Sequence, residues 1–552
     1  MSSIRLPNEI FFMIVQHLPT QRSILALMRT DRRMYHLLRE YLYDRTTGNE
    51  KNKALNWAAK RGLEDLVRAM LRRGGDIRMD KDTFWHTKNS EPRPRRWLSM
   101  AISDAAENGH ASIVSLLLER QPSALNMRSG YDDWPLRKAA ARGHAETVKI
   151  LLNHSANIPH DEINDSGFGA PTSFNFSPAL NEAFRHGQEE IVNAMLADGR
   201  VSMDRESLAA AAWGGHERLV DLCLREAPPW SPERQFLSPL GAAAQRGNAA
   251  AFKMILTSNR VDPNMRDDSL RTPLFVAAEF GQEEIVKILI ETDGVHPDTK
   301  NKYGETALSS AAANGSLATV ECLLATGAVD VDNKDHRGST PLFAAASIGN
   351  EKIARRLIAA GANPEHRNSD GQSPLWHAAG LGAANVVKVL LATGRVDPDA
   401  KDRSGMTPLA RAARSGRFLG KPTNFVYTKE YEKQAEKVIV PLLQGAEPNA
   451  SSANNQPPAV GITQDPTTRD GLSVMKQLLS LREVDPDSQD KSGRTPLSHA
   501  VQMHEVDAVR VLLDTKRVDV NCADSDGWTP LTWIEKKEKN LNRGDWEAAC
   551  GW

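Results

Sequence analysis

The residues in this chain that could carry chemistry fall in a few short stretches. Gly416-Arg-Phe-Leu-Gly-Lys-Pro-Thr423 has the ingredients of a phosphate-cradling loop, in which glycine N–H groups and a lysine meet phosphate oxygens. It places three residues between its glycines where that loop has four, puts Pro after the Lys, and follows a predicted helix, not a strand. Asp397-Pro-Asp399 and Asp524-Ser-Asp526-Gly527 offer oxygens to a hard cation such as calcium. Neither is followed by the bidentate Glu of a calcium loop, and both recur at a longer period that makes them turn tips. His216-Glu217 lacks the second His four residues on that a zinc-protease helix requires. Cys223, Cys322, Cys522 and Cys550 show no metal-ligand or C-x-x-C spacing, and none of the 15 histidines falls in a recognisable triad. No catalytic residue, metal or cofactor is therefore expected, and the chain does not read as an enzyme.

Bulk properties narrow the class further. Of 552 residues, 40% are hydrophobic and 25% charged, ordinary for a globular chain. The net charge of −1 gives no global field toward nucleic acid or membrane. The charge is uneven, since residues 1–98 hold 20 Lys and Arg against 11 Asp and Glu. Arg93, Arg95 and Arg96 form a short basic run that reads as a solvated loop or a nuclear signal. The apolar run Ile10–Val15 is too short for a signal-peptide core, and nothing approaches the roughly 20 apolar residues of a membrane span. With so few cysteines the expectation is an intracellular protein, cytoplasmic, nuclear or both.

The elements that position these residues repeat. Arg271-Thr-Pro-Leu-Phe-Val-Ala-Ala-Glu-Phe-Gly281 aligns with Glu305-Thr-Ala-Leu-Ser-Ser-Ala-Ala-Ala-Asn-Gly315, Ser339-Thr-Pro-Leu-Phe-Ala-Ala-Ala-Ser-Ile-Gly349 and Gln372-Ser-Pro-Leu-Trp-His-Ala-Ala-Gly-Leu-Gly382. The position of the Pro falls at 54, 101, 135, 179, 207, 239, 273, 307, 341, 374, 408, 496 and 530, and from 239 to 408 the steps are 34 or 33. Thr caps a helix, Pro opens it where a missing N–H costs nothing, and the Gly eight residues later ends it in a left-handed turn. A second apolar segment follows, such as Glu284-Ile-Val-Lys-Ile-Leu-Ile290, and then a Val-Asp-Pro-Asp turn. No single unit can bury its apolar face, so the stack is the core.

A period near 33 with Thr-Pro-Leu resembles the ankyrin family, from about residue 48 onward. The resemblance implies an all-α solenoid of helix–turn–helix repeats with short β-hairpin-like turn tips. About 11 repeats are expected over 48–449, with insertions near 80–98, 159–176 and 418–431, and degenerate repeats with a terminal cap over 450–552. Anchors 54, 101, 179 and 207 lack the Pro. The His that follows Thr-Pro-Leu in many ankyrin repeats is replaced by Phe275, Ser309, Phe343, Trp376, Ala410, Ser498 or Thr532, so its buttress to the Thr is absent. The 88 residues from 408 to 496 are read as two units, with second helices at Pro441–Ala446 and Gly471–Leu479. By the family's pattern a protein target lies along one concave edge, which nominates Tyr303, Arg337, Arg403 and Lys491 on turn tips, and Trp213, Phe280 and Arg414 at helix ends.

Residues 1–47 do not fit the repeat. Leu6-Pro-Asn-Glu-Ile10, Leu18, Ser23-Ile-Leu-Ala-Leu-Met28 and Arg32-Arg-Met-Tyr35 resemble an F-box, with Met34 where many F-boxes carry Trp. That resemblance implies a Skp-family adaptor of cullin–RING ubiquitin ligases as partner, contacted by Leu6, Pro7, Ile10, Ile14, Leu18, Leu25 and Leu27. The expectation is a substrate-recognition subunit; the alternative is an ankyrin scaffold whose N-terminal helices are only a structural cap.

Overall fold

The computed structural model describes residues 55–72, 94–120, 135–156, 177–226, 238–415, 439–440, 443–444 and 470–534. Among them every regular element is an α-helix, in an inner row that starts near the anchor positions and an outer row that follows each helix-ending turn. The expected hairpin-like tips are turns without strand pairing among these residues. The F-box-like segment and the expected terminal cap lie outside the described residues. Two compact units are formed, Met1–Arg234 with Thr257–Arg260, and Gln235–Leu256 with Val261–Trp552.

In the first unit the inner helices Pro94–Glu107, Pro135–Arg142, Ser177–Arg185 and Arg205–Gly214 pack each on the next. Outer helices Glu64–Arg72, Ala111–Arg120, Ala145–Ala156 and Glu189–Asp198 do the same, and Glu217–Glu226 packs on Arg205–Gly214. Anchors 101, 179 and 207, which lack the Pro, fall within inner helices all the same. Asp204 opens its helix by accepting the Ser207 N–H at 2.8 Å, with Ser207 reciprocating. The helix at anchor 101 begins at Pro94, so 94–98 belong to the repeat and not to the expected insertion.

Several histidines find their role here as clips between repeats. His144 Nε2 lies 3.0 Å from the Glu107 carbonyl and His216 Nε2 3.0 Å from the Arg185 carbonyl. Each ring packs over the preceding turn glycine, and a Cβ on Gly109 or Gly187 would meet it at 2.5 Å. Both glycines also hold a left-handed φ, +73° and +71°, so the ring fits only where the side chain is missing.

In the second unit the inner helices Pro239–Arg246, Pro273–Glu279, Ala307–Asn314, Pro341–Ile348, Pro374–Leu381, Pro408–Arg414 and Pro496–Gln502 stack in series. Outer helices Glu283–Ile290, Leu317–Ala325, Glu351–Ala359, Ala384–Leu391, Gly471–Leu479 and Val506–Asp514 run alongside. Buried leucines and alanine pairs, such as Leu308, Ala311 and Ala312, fill the space between rows. Buried Thr272, Thr407 and Thr495 accept the N–H of the third helical residue, each at 3.2 Å. At Thr306 and Ser309 the two side chains cap reciprocally, so a serine partly restores the missing buttress.

The interval from 408 to 496 differs from the sequence expectation of two units. Gly471–Leu479 packs on Pro408–Arg414 as its outer helix, and Pro496–Gln502 packs on Pro408–Arg414 directly. Lys491 N–H donates to the Ser404 carbonyl at 2.8 Å, and Lys401 Nζ to the Gln489 carbonyl at 2.9 Å. The tips at 402–405 and 490–493 are thus adjacent, and one repeat is interrupted between its two helices.

A staircase of carboxylates joins the loops that follow the outer helices. Asp298 accepts the Asp330 N–H at 2.8 Å, Glu365 that of Asp397 at 3.1 Å, Asp399 that of Asp485 at 2.6 Å and Asp487 that of Asp519 at 2.8 Å. In Asp298, Asp399 and Asp487 the other oxygen, Oδ1, is buried without a hydrogen-bond partner. Burial, with the like charges of neighbouring aspartates, raises the pKa of all three. Asn264 shows what this register accommodates: its Oδ1 accepts the His296 N–H at 3.1 Å and its Nδ2 donates to the Gly294 carbonyl at 2.7 Å. Replacing Asp399 and Asp487 by Asn should therefore stabilise the unit at neutral pH by about 1 kcal/mol per site. A raised native pKa means the folded chain binds more protons, so wild-type stability falls as pH rises through that range. The gain should accordingly vanish at pH values below the ordinary aspartate range, which denaturant melts of wild type and variant at acid and neutral pH would show.

Candidate functional site

The most regular solvent-facing feature of the second unit is its row of tips. In each, an Asp or Asn side chain accepts backbone N–H groups two and four residues on, as Asp335 does from Arg337 and Ser339 at 2.8 and 2.7 Å. Successive tips are tied by backbone bonds, Lys302 N–H to Ser269 O at 3.0 Å, His336 to Tyr303 at 2.9 Å, Ser369 to Arg337 at 2.8 Å and Arg403 to Asp370 at 2.8 Å. The backbone is therefore fixed while side chains at the second and third tip positions point outward.

Tips and inner helices present one face. Arg271, on a tip, reaches along its helix to Glu279 near the far end, with Nη1 to Oε2 at 2.6 Å, and also bonds Asp267. The fourth helical residue turns to the tip: His499 Nε2 is 3.0 Å from Asp490 Oδ2, His377 Nε2 3.0 Å from Gln372 Oε1, and Trp533 Nε1 donates to Asp524 Oδ2 at 3.0 Å. The tie to the tip missing from the third helical residue is thus made one residue later.

The nominated residues of the second unit fall on this face with different freedom. Tyr303 (58% exposed) and Phe280 (43% exposed) are open, the Tyr303 ring carrying the Lys302 ammonium 5.1 Å from its centre. Arg337, Arg403 and Lys491 on tips and Arg414 at a helix end are exposed, with no ion pair among the described residues. Trp213, in the first unit, is half-buried with the Arg185 guanidinium 5.1 Å over its ring. The adaptor-contact residues Leu6, Pro7, Ile10, Ile14, Leu18, Leu25 and Leu27 lie outside the described residues. Sequence reading missed Leu270 and Ile348, exposed apolar residues of the same face. Ile348 shares the register of Phe280, the residue before the helix-ending Gly, and that register was the available signal.

The groups with perturbed acidity serve packing. Burial pushes the Cys223 thiol up to about 12, leaving it no thiolate at neutral pH. Burial and the neighbouring Arg411 push His377 down to about 4, where its ring stands edge-on to Phe343 and Trp376 at 5.1 and 5.2 Å. Among the described residues no three His, Cys, Asp or Glu gather as metal ligands, and no helix is long and apolar enough to cross a membrane.

The family model for ankyrin repeats (3 copies) matches residues 102–207, 207–301, 293–368, 342–420 and 467–540. The chain belongs to the ankyrin-repeat family. Ankyrin repeats imply protein partners. No F-box domain is found in the chain. Ankyrin repeat and KH domain-containing protein mask-1 of Caenorhabditis elegans is 29% identical over 30% of this chain and 6% of its own length. Neurogenic locus Notch protein of Drosophila melanogaster is 32% identical over 25% of this chain and 5% of its own. Probable E3 ubiquitin-protein ligase XBOS32 of Oryza sativa subsp. japonica is 30% identical over 28% of this chain and 31% of its own. The ankyrin chain thus spans less than a third of each of these relatives.

Proposed function

We propose that this ankyrin protein is the recognition subunit of a ubiquitin ligase, capturing a target protein on the tip and inner-helix face. The observation that supports capture is the row of exposed side chains on tips locked by backbone bonds, since a rigid surface loses little entropy on binding. Coupling to a ligase rests on the resemblance of the N-terminal Leu6-Pro-Asn-Glu-Ile10 motif, followed by Ile14 and Leu18 at helical spacing in the sequence, to a segment that docks the Skp-family adaptor. The rice relative's name supports the same context, although its likeness covers only part of either chain. The chemistry then belongs to other subunits.

A pull-down of full-length chain with purified Skp-family adaptor tests the coupling. Micromolar or tighter binding that Leu6→Asp/Ile10→Asp abolishes is the expected result, because two charges on an apolar contact face leave it uncompensated. If the folded chain retains no adaptor, it is a scaffold that captures a protein without delivering it to a ligase.

A further inference from the structure

No further inference is drawn: the strongest candidate, the row of half-buried carboxylates Asp298, Asp399 and Asp487 on the loops that follow the outer helices, gives one oxygen of each to the backbone of the next repeat, and among the described residues no three metal-ligating side chains gather around the orphaned second oxygens to point to a cation or any other ligand.

Discussion

Gly405→Ala should destabilise the second unit by roughly 3–4 kcal/mol, whereas Gly394→Ala should cost only about 1–2 kcal/mol. Both glycines hold a left-handed φ, +84° and +62°, so both substitutions carry the strain of an L side chain there. They differ in what a Cβ would meet. At Gly394 nothing lies within 4 Å, while at Gly405 the Lys491 backbone nitrogen is 2.8 Å away and the Asp490 Cα and carbonyl carbon 3.1 Å. Backbone cannot rotate aside, so the tip at 490–493 must move off the tip at 402–405. Because a solenoid is held by neighbour contacts alone, the loss should be local. Hydrogen exchange should quicken across 484–534 in Gly405→Ala and stay slow across 273–325. Uniform loss, or none, would deny that the two tips are adjacent.

Asp490→Ala is expected to cost about 3 kcal/mol, within the scale of hydrogen bonds to a charged group whose partners stay buried. The carboxylate accepts N–H from Ser492 at 2.8 Å and Arg494 at 3.0 Å, and holds the His499 ring at 3.0 Å. His499 is buried to 2% exposure, with its Nδ1 already lacking a partner, so removing Asp490 strands the whole ring. Burial opposes the Asp490 charge, but the bonds from His499, Arg494 and Ser492 outweigh it and hold the pKa below the ordinary aspartate value. A depressed native pKa contributes stability above the unfolded value that is lost as pH falls through the folded one. The penalty should thus be full at neutral pH and shrink in acid, opposite in direction to the wild-type trend at Asp399 and Asp487. Urea melts at neutral pH and near pH 3 separate the two, and a penalty that grew in acid would contradict the assignment.

Much of this fold can be read from the residues because each repeat states its own rules. Thr-Pro-Leu, the glycine eight residues on and the Asp-x-x-Gly tip are local signals, and helices stand wherever they recur in the described chain. The interrupted repeat was misread because period counting divides 88 residues into two units. A cap signal was the better guide: no Thr-Pro-Leu occurs between 416 and 470, so no inner helix was announced there. The helix that begins at Pro94 was missed for the opposite reason, an inner helix extended upstream of its anchor. On the tip and inner-helix face, aromatic and arginine identity nominated Tyr303, Phe280 and Arg337, which are exposed there, and passed over Leu270. Its exposure depends on a backbone conformation that sequence does not assign to leucine. The histidine clips were equally invisible, since each ring bonds a carbonyl of the preceding repeat.

Amide hydrogen exchange of the full-length chain with and without a peptide selected on it from a random phage-displayed library tests the proposed capture face most directly. Slowed exchange confined to the tips at 267–271, 301–305 and 335–339 and to the ends of the Pro273–Glu279 and Pro341–Ile348 helices is the predicted result. Protection centred on the outer helices Glu283–Ile290, Leu317–Ala325 and Glu351–Ala359, with the tips unchanged, would contradict it and move recognition to the opposite side of the repeats.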